Sequence, residues 1–523
     1  MKAILYSSIL LICSLLPAHA NERTIDVSGN NTSNDYKTYN SLISIKAGDT
    51  VNVKMARYCY FSSSIKGSGV LNLYGGGERC YLGTEKGKAW PDWTGFTGDI
   101  HIYPFKENSP GAGFWGAVLA HGGKSSSPEN AIDDAQSGKV NPSMANNRVM
   151  LHGGATIACE ANTSGAGFRI GELQMEKGSE LRGYYKKSRS AYYLLGGLNT
   201  DATLAGTISP TDGDAGTLLS IVKEGTGTYT ITGNDNFLSG ALRVLEGRVL
   251  VMNDRDETES KKLRGALGAM ADATKAIAYV FSKGVLGGTG SIGGMVDNYG
   301  TIEPGTDCVG LLTLKNYAAQ RNANLTVRPA SVLRFKIGGA ESYDQLAIDG
   351  TLKYNNIAED FSVSDKMPVI EVVVQENAGL KVDDEFPVMI AKSKDGDWHF
   401  DVKADKYTWA VEEREADGHI VFVLRLSSLQ NSDHPDDPDN PDKPESTMGA
   451  FYDDGIDDAK DKNTLGYYAE KNNKSVGVAL CTYKGLQSDR DEAGRQFNMM
   501  VCENEMKFDA LEPSKNSFSF GSF

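Results

Sequence analysis

Short runs of alternating apolar and polar residues recur along the chain from about residue 21 to residue 427. Val51-Asn52-Val53, Leu71-Asn72-Leu73, Leu242-Arg243-Val244, Val249-Leu250-Val251, Leu312-Thr313-Leu314 and Leu325-Thr326-Val327 each put apolar side chains on one side of an extended segment. Clusters of Gly, Asn and Asp separate them, at Gly75-Gly76-Gly77, Gly233-Asn234-Asp235, Gly287-Gly288 and Gly338-Gly339. A period of two with glycine-rich corners predicts strands of roughly three to five residues joined by tight turns. Such strands suit a β-solenoid, in which each coil stacks on the next at about 4.8 Å and satisfies its backbone groups along the stack. The competing architecture, a series of β-sandwiches, needs longer strands of roughly five to eight residues.

The pattern changes twice near the C-terminus. From Ser432 to Glu445 the sequence is SDHPDDPDNPDKPE, with Pro435, Pro438, Pro441 and Pro444 at every third position. Polyproline II has three residues per turn, so the prolines line one edge and the acidic residues, which repel one another, extend the segment. This predicts a semi-rigid linker over 428–447; calcium binding by its aspartates is the lesser reading. Beyond it, Ile456 to Asn472 reads as a helix with Leu465, Tyr468 and Ala469 at i, i+3, i+4. Val476 to Leu480 reads as a buried strand. Ser488 to Gln496 reads as a second helix with Ser488 at its N-cap, and Phe497 to Cys502 as a second strand. Helix, strand, helix, strand opens a parallel α/β fold over 448–523.

Composition narrows the function classes. The 523 residues include 58 glycines without a Gly-X-Y period, which excludes collagen. Acidic residues outnumber basic ones by 68 to 53, for a net charge of −15, which disfavours a nucleic-acid partner. Residues 1–20 read as a secretory signal: Lys2, an apolar stretch from Ile4 to Leu16, Pro17, then Ala18-His19-Ala20 as a cleavage site. A lipoprotein signal through Cys13 is weaker, because Ile12 stands where a small residue is needed. The expected destination is outside the cytoplasm: secreted, periplasmic or at the cell surface, with cleavage after Ala20. No later stretch reaches the length of a membrane span. Six cysteines remain, Cys59, Cys80, Cys159, Cys308, Cys481 and Cys502, with no CxxC pair to suggest zinc, and no metal or cofactor is expected. Cys59 and Cys80 are about one coil apart, so either a disulfide between stacked coils or two buried thiols fits the spacing.

Two resemblances follow from the motifs. Gly225–Gly233 (GTGTYTITG), Leu238–Val251 (LSGALRVLEGRVLV), Leu286–Gly294, Asn298–Gly305 and Ser342–Tyr354 (SYDQLAIDGTLKY) resemble the repeats of autotransporter passenger domains, over roughly 215–426. That resemblance implies a right-handed parallel β-helix and says little about function. FNMMVCENEMKFDALEPSKNSFSF, from Phe497 to Phe520, closely resembles the second barrel strand of glycoside hydrolase family 10, the endo-1,4-β-xylanases. The family's Glu-Asn-x-Met-Lys signature and its trailing Glu-Pro and Phe-x-Phe are Glu503, Asn504, Met506, Lys507, Glu512, Pro513, Phe518 and Phe520. Ser475–Leu480 fits the first strand. The resemblance covers about 455–523 and implies the start of a (β/α)₈ TIM barrel, with Glu503, Asn504 and Lys507 holding xylose units on the glycone side of the cleft. A salt bridge between Glu503 and Lys507 at a polar strand end is the plainer alternative.

In that family the acid/base and nucleophile glutamates lie on later strands, so neither Glu503 nor Glu512 is a catalytic candidate. Retaining hydrolysis needs two carboxylates about 5–5.5 Å apart, and about 70 residues of a barrel cannot close its sheet. The expectation is therefore a secreted xylan-degrading protein cut short before its catalytic pair, with xylan or a related plant polysaccharide as partner. The alternative is an exported β-helix adhesion or carbohydrate-binding protein without activity. A third, weaker reading is a β-helix polysaccharide lyase or hydrolase. Two further clusters bear on these: Trp90, Trp93, Phe96, Tyr103, Phe105, Phe114 and Trp115, either a sugar platform or core; and Asp395, Asp397, His399 and Asp401, which would share one face if they lay on one strand.

Overall fold

The computed structural model describes residues 20–27, 37–55, 59–75, 80–83, 90–104, 117–122, 127–161, 165–183, 190–209, 218–234, 236, 238, 240–253, 276–316, 323–429, 477–480 and 499–502. The chain divides into two compact units after Ser432.

The first unit is mainly β, with one short α-helix, Ala131–Gln136, among the described residues. All the apolar triplets noted above lie in strands. Near the start the chain visits three sheets in rotation. Thr50–Met55 joins the first, Cys59–Phe61 the second and Ile65–Gly67 the third; Val70–Gly75, Cys80–Leu82 and Gly95–Phe96 then repeat the order. Each strand pairs in parallel with its predecessor in the same sheet: Thr50 opposite Val70, Val70 opposite Asp99, Cys59 opposite Cys80, Ile45 opposite Gly67. Parallel pairing on this scale excludes the sandwich alternative, whose sheets are antiparallel.

Period two explains what each strand buries. Val51, Leu71, Ile100 and Val149 form one in-register column, and Val53, Leu73, Ile102 and Leu151 the next, all at most 2% exposed. Each such side chain contributes on the order of 1.5–3 kcal/mol by leaving water. Between these columns, on the opposite side of the strand, Asn72 Nδ2 donates to Asn52 Oδ1 (2.8 Å) and Asn52 Nδ2 donates to Glu22 Oε1 (2.6 Å). The sheet's outer face thus carries an amide ladder in register with the apolar one.

Several strands are longer than the predicted three to five residues. Leu242–Val251 and Ala278–Gly288 each join two such segments. The reason is visible at Gly247, whose φ of +72° turns the chain while its pairing with Gly284 continues. The same corner is glycine on earlier rungs, and for a steric reason. A Cβ on Gly225 (φ +71°) would lie 2.3 Å from Gly196 O, and one on Gly247 would lie 2.4 Å from Gly225 O. Glycine is needed there both for the left-handed backbone and for the close approach of rungs.

Apart from the antiparallel pairing of Val332–Gly339 with Ser342–Tyr343, parallel pairing continues to Asp401–Ala404, which pairs with Val369–Val374. The order then reverses: Glu385–Asp395 and Thr408–Ala416 both pair antiparallel with His419–Ser428. Phe386, Trp398, Phe400, Trp409 and Phe422 pack edge to face in this final layer.

The second unit has two described strands, Gly477–Leu480 and Met499–Cys502, paired in parallel from Gly477–Met499 to Leu480–Cys502. Both fall on the runs predicted as strands. The predicted helices at 456–472 and 488–496 lie outside the described residues, as does the linker from residue 430 on; its predicted first residue, Ser428, instead closes the strand His419–Ser428.

Candidate functional site

The strongest candidate begins where the strand Met499–Cys502 ends. Glu503 and Asn504 follow it directly, and Lys507 comes three residues later. Residues at the C-terminal ends of parallel strands are those an α/β fold can turn into a cleft. Carboxylate, amide and ammonium together offer acceptors and donors for vicinal hydroxyls. The three residues themselves lie outside the described residues, as do Glu512 and the Phe518 and Phe520 pair.

The first unit holds the remaining candidates. Of the aromatic cluster, Trp93 and Phe96 are 1% and 0% exposed, and Trp93 Nε1 donates to Ser63 O at 2.9 Å, so both are core. Phe105, Phe114 and Trp115 lie outside the described residues. Tyr103 is different: it stands on the outer face, stacked on Tyr74 (centroids 5.0 Å apart) on one side and on His152 (4.1 Å) on the other. Rings stacked along a ladder cover each other's faces and present edges to solvent. That arrangement removes the flat face that a sugar ring stacks on.

Beside the stack runs a chain of imidazoles. His152 Nδ1 lies 3.0 Å from Glu176 Oε1, and His101 Nδ1 lies 3.0 Å from His152 Nε2. A carboxylate only accepts, so His152 donates through Nδ1 and accepts at Nε2 the proton of His101 Nδ1. Burial, and then the neighbouring His152, hold the His101 pKa below its ordinary value. Glu176 is held low by the Gly153 N–H and by His152. Sequence reading missed this group because His101 and His152 are 51 residues apart with an irregular rung between them.

Asp395, Asp397, His399 and Asp401 do not share a strand face. Asp395 ends one strand, Gly396 (φ +83°) turns the chain, and Asp401 starts the next strand. His399 is 72% exposed, with its Nε2 3.7 Å from Asp401 Oδ1.

Carboxylates elsewhere are neutralised by neighbours on adjacent rungs. Arg334 bridges Glu303 (3.1 Å) and Glu371 (2.6 Å), and Lys403 adds a contact to Glu371 at 3.1 Å. Burial pushes the Glu371 pKa up, but Arg334 and Lys403 hold it below its ordinary value. Asp344, fully buried, accepts from the backbone N–H groups of Gly310 and Lys336 and pairs with Lys336 Nζ at 2.8 Å. These are ladders of compensated charge. Burial pushes the Asp344 pKa up, against Lys336 and the two N–H groups, but the carboxyl is fully buried and so faces no cleft in which it could act on a substrate. Among the described residues no group of three or more His, Cys, Asp and Glu side chains could hold a metal ion, and no helix is long and apolar enough to cross a membrane.

The described part of the second unit is a parallel strand pair, the pairing on which α/β folds are built. The sequence comparison is more particular: residues 464–523 match the family model of glycosyl hydrolase family 10. The matched segment contains both described strands and Glu503, Asn504 and Lys507. It points to a glycoside hydrolase and to a polysaccharide as the molecule acted on.

Proposed function

We propose that this is a secreted xylan-degrading protein of the endo-1,4-β-xylanase type. One observation carries the reading: the family 10 match spans a parallel strand pair, and the Glu503-Asn504-x-Met506-Lys507 signature begins directly after the second strand. Glu503, Asn504 and Lys507 take the role of glycone-side contacts, the carboxylate and amide accepting from xylose hydroxyls and the ammonium donating to them. Retaining hydrolysis requires an acid/base and a nucleophile about 5–5.5 Å apart, and this role belongs to glutamates on later strands of the barrel. The cleavable signal over residues 1–20 sends the protein out of the cytoplasm. The first unit is a right-handed parallel β-helix serving as an accessory region; the three-sheet rotation and the parallel rungs support this reading.

The test is retention on an affinity gel containing insoluble xylan. The expected result is migration retarded relative to a gel without xylan, with the retardation lost in the Glu503→Ala/Lys507→Ala variant. Equal migration of wild type and variant in xylan would remove these residues from the site. A second reading, an exported adhesion or binding protein, is favoured by the compensated carboxylates of the first unit. It would be supported if retention survives the double variant.

A further inference from the structure

We propose that Cys59 and Cys80 are joined by a disulfide that clamps two successive rungs of the first unit. The two residues are direct register partners on the parallel strands Cys59–Phe61 and Cys80–Leu82. Neighbouring strands lie about 4.8 Å apart, within the Cα separation of about 4.4–6.8 Å that a disulfide spans. Both side chains are fully buried and belong to the same apolar core. Tyr60 and Tyr81, the next residues along each strand, stack at 5.2 Å, and Phe61 lies opposite Leu82, so the register holds through the two pairs that follow. In the structure both cysteines are thiols, with Cys80 Sγ 3.5 Å from Met55 O.

The register also excludes Cys159, the other buried cysteine among the described residues. Cys80 is followed in its column by Val118 and then Ile157, whereas Cys159 stands in the column of Leu82 and Ala120, two rungs beyond Cys80. Two rungs are about 9.6 Å, too far for a bridge. Cys308 is exposed and more than 200 positions along the chain.

The chemistry is thiol–disulfide exchange. One cysteine thiolate attacks a disulfide oxidant and expels one thiolate from it. The second cysteine then attacks the mixed disulfide and expels the other. Two cysteine thiols become one disulfide, the oxidant is reduced to two thiols, and the two cysteine protons end on those. Hydrogen bonding to Cys80 and burial push the Cys59 thiol well above its ordinary pKa. A buried, protonated thiol is a poor nucleophile, so the exchange belongs to folding, before the two rungs close.

The pairing does not rest on the export reading, because refolding supplies the oxidant directly. The full chain is refolded from denaturant with oxidised glutathione, denatured without reductant, alkylated and digested with trypsin. Cleavage after Arg57, Lys66, Arg79 and Lys86 puts the cysteines on separate peptides, 58–66 and 80–86. The expected result is these two peptides joined, and their separate alkylated forms when refolding is done in reductant. Oxidised glutathione added to the folded, reduced protein is expected to join them at least tenfold more slowly. The proposal is overturned if both peptides are alkylated after oxidative refolding, or if either is joined to Cys159 or Cys308.

Discussion

Lys223 offers a quantitative test of how the rungs are held. It is 1% exposed, and its ammonium donates to the carbonyl oxygens of Glu224 (2.7 Å), Gly225 (2.6 Å) and Glu246 (3.3 Å), at the corner where Gly196, Gly225 and Gly247 stack. Burial pushes its pKa from 10.5 down to about 8, against the pull of Glu224, Glu246 and Asp201. Below about pH 8 both folded and unfolded chains hold the proton, and the full cost of burying the charge is present. Between there and the unfolded value the unfolded chain keeps a proton that the folded chain has released, so stability rises with pH. The slope is at most about 1.4 kcal/mol per pH unit, and the total about 3 kcal/mol. Lys223→Met keeps the stem and removes the titration. At pH 7 it relieves the buried charge but leaves three carbonyl groups without their donor, at about 1–3 kcal/mol each, so the sign there decides nothing. The pH dependence decides. Urea unfolding followed by circular dichroism at pH 7.5, 8.5, 9.5 and 10.5 should show the wild type gaining up to about 3 kcal/mol on the variant across the series. Other lysines titrate alike in both proteins. A constant difference between them would refute the account of this corner.

Two glycines with similar backbone angles should respond differently to alanine. Gly48 (φ +83°) has nothing within 4 Å of its Cβ position, so Gly48→Ala should cost only the left-handed strain, about 1–2 kcal/mol. Gly225→Ala adds a contact at 2.3 Å with Gly196 O and should cost at least twice as much, read from urea midpoints. For His101, whose folded pKa is lowered, stability should be flat above the unfolded value near 6.5 and fall as the pH drops below it. His101→Asn, which continues the ladder of Asn52 and Asn72, should flatten that fall in thermal melts between pH 7.5 and 5. Trp93→Phe should lower the unfolding midpoint by roughly 1–2 kcal/mol, because Ser63 O loses its donor in a dry site.

The strands were legible because period two is a local property: Val51 and Val53, or Leu71 and Leu73, reveal a buried side without reference to anything distant. Glycine corners were legible for the same reason, since left-handed backbone at Gly225 and Gly247 is a local demand. Which strand stacks on which was legible only where coils are regular, as at Cys59 and Cys80. It was lost between Ile102 and its register partner Leu151, where the coil that carries Ala117–Gly122 and the helix Ala131–Gln136 is much longer than the one between Val53 and Leu73. The stack of Tyr74, Tyr103 and His152 therefore had no signature in the sequence. The aspartates near residue 397 misled because alternation was read through a turn that Gly396 imposes. At the C-terminus the strand pair was legible from two apolar runs. The roles proposed for Glu503, Asn504 and Lys507 rest on the motif that follows the second run, since composition alone does not separate a sugar contact from a salt bridge.

The most direct test of the central claim is whether a xylan oligosaccharide binds at the signature that follows Met499–Cys502. Titration of the 523-residue chain with xylohexaose, followed by isothermal titration calorimetry, reads this directly. The account predicts binding that Glu503→Gln weakens by about tenfold or more, the loss of a charge-assisted hydrogen bond. No binding of xylohexaose, or equal affinity of wild type and variant, would contradict it.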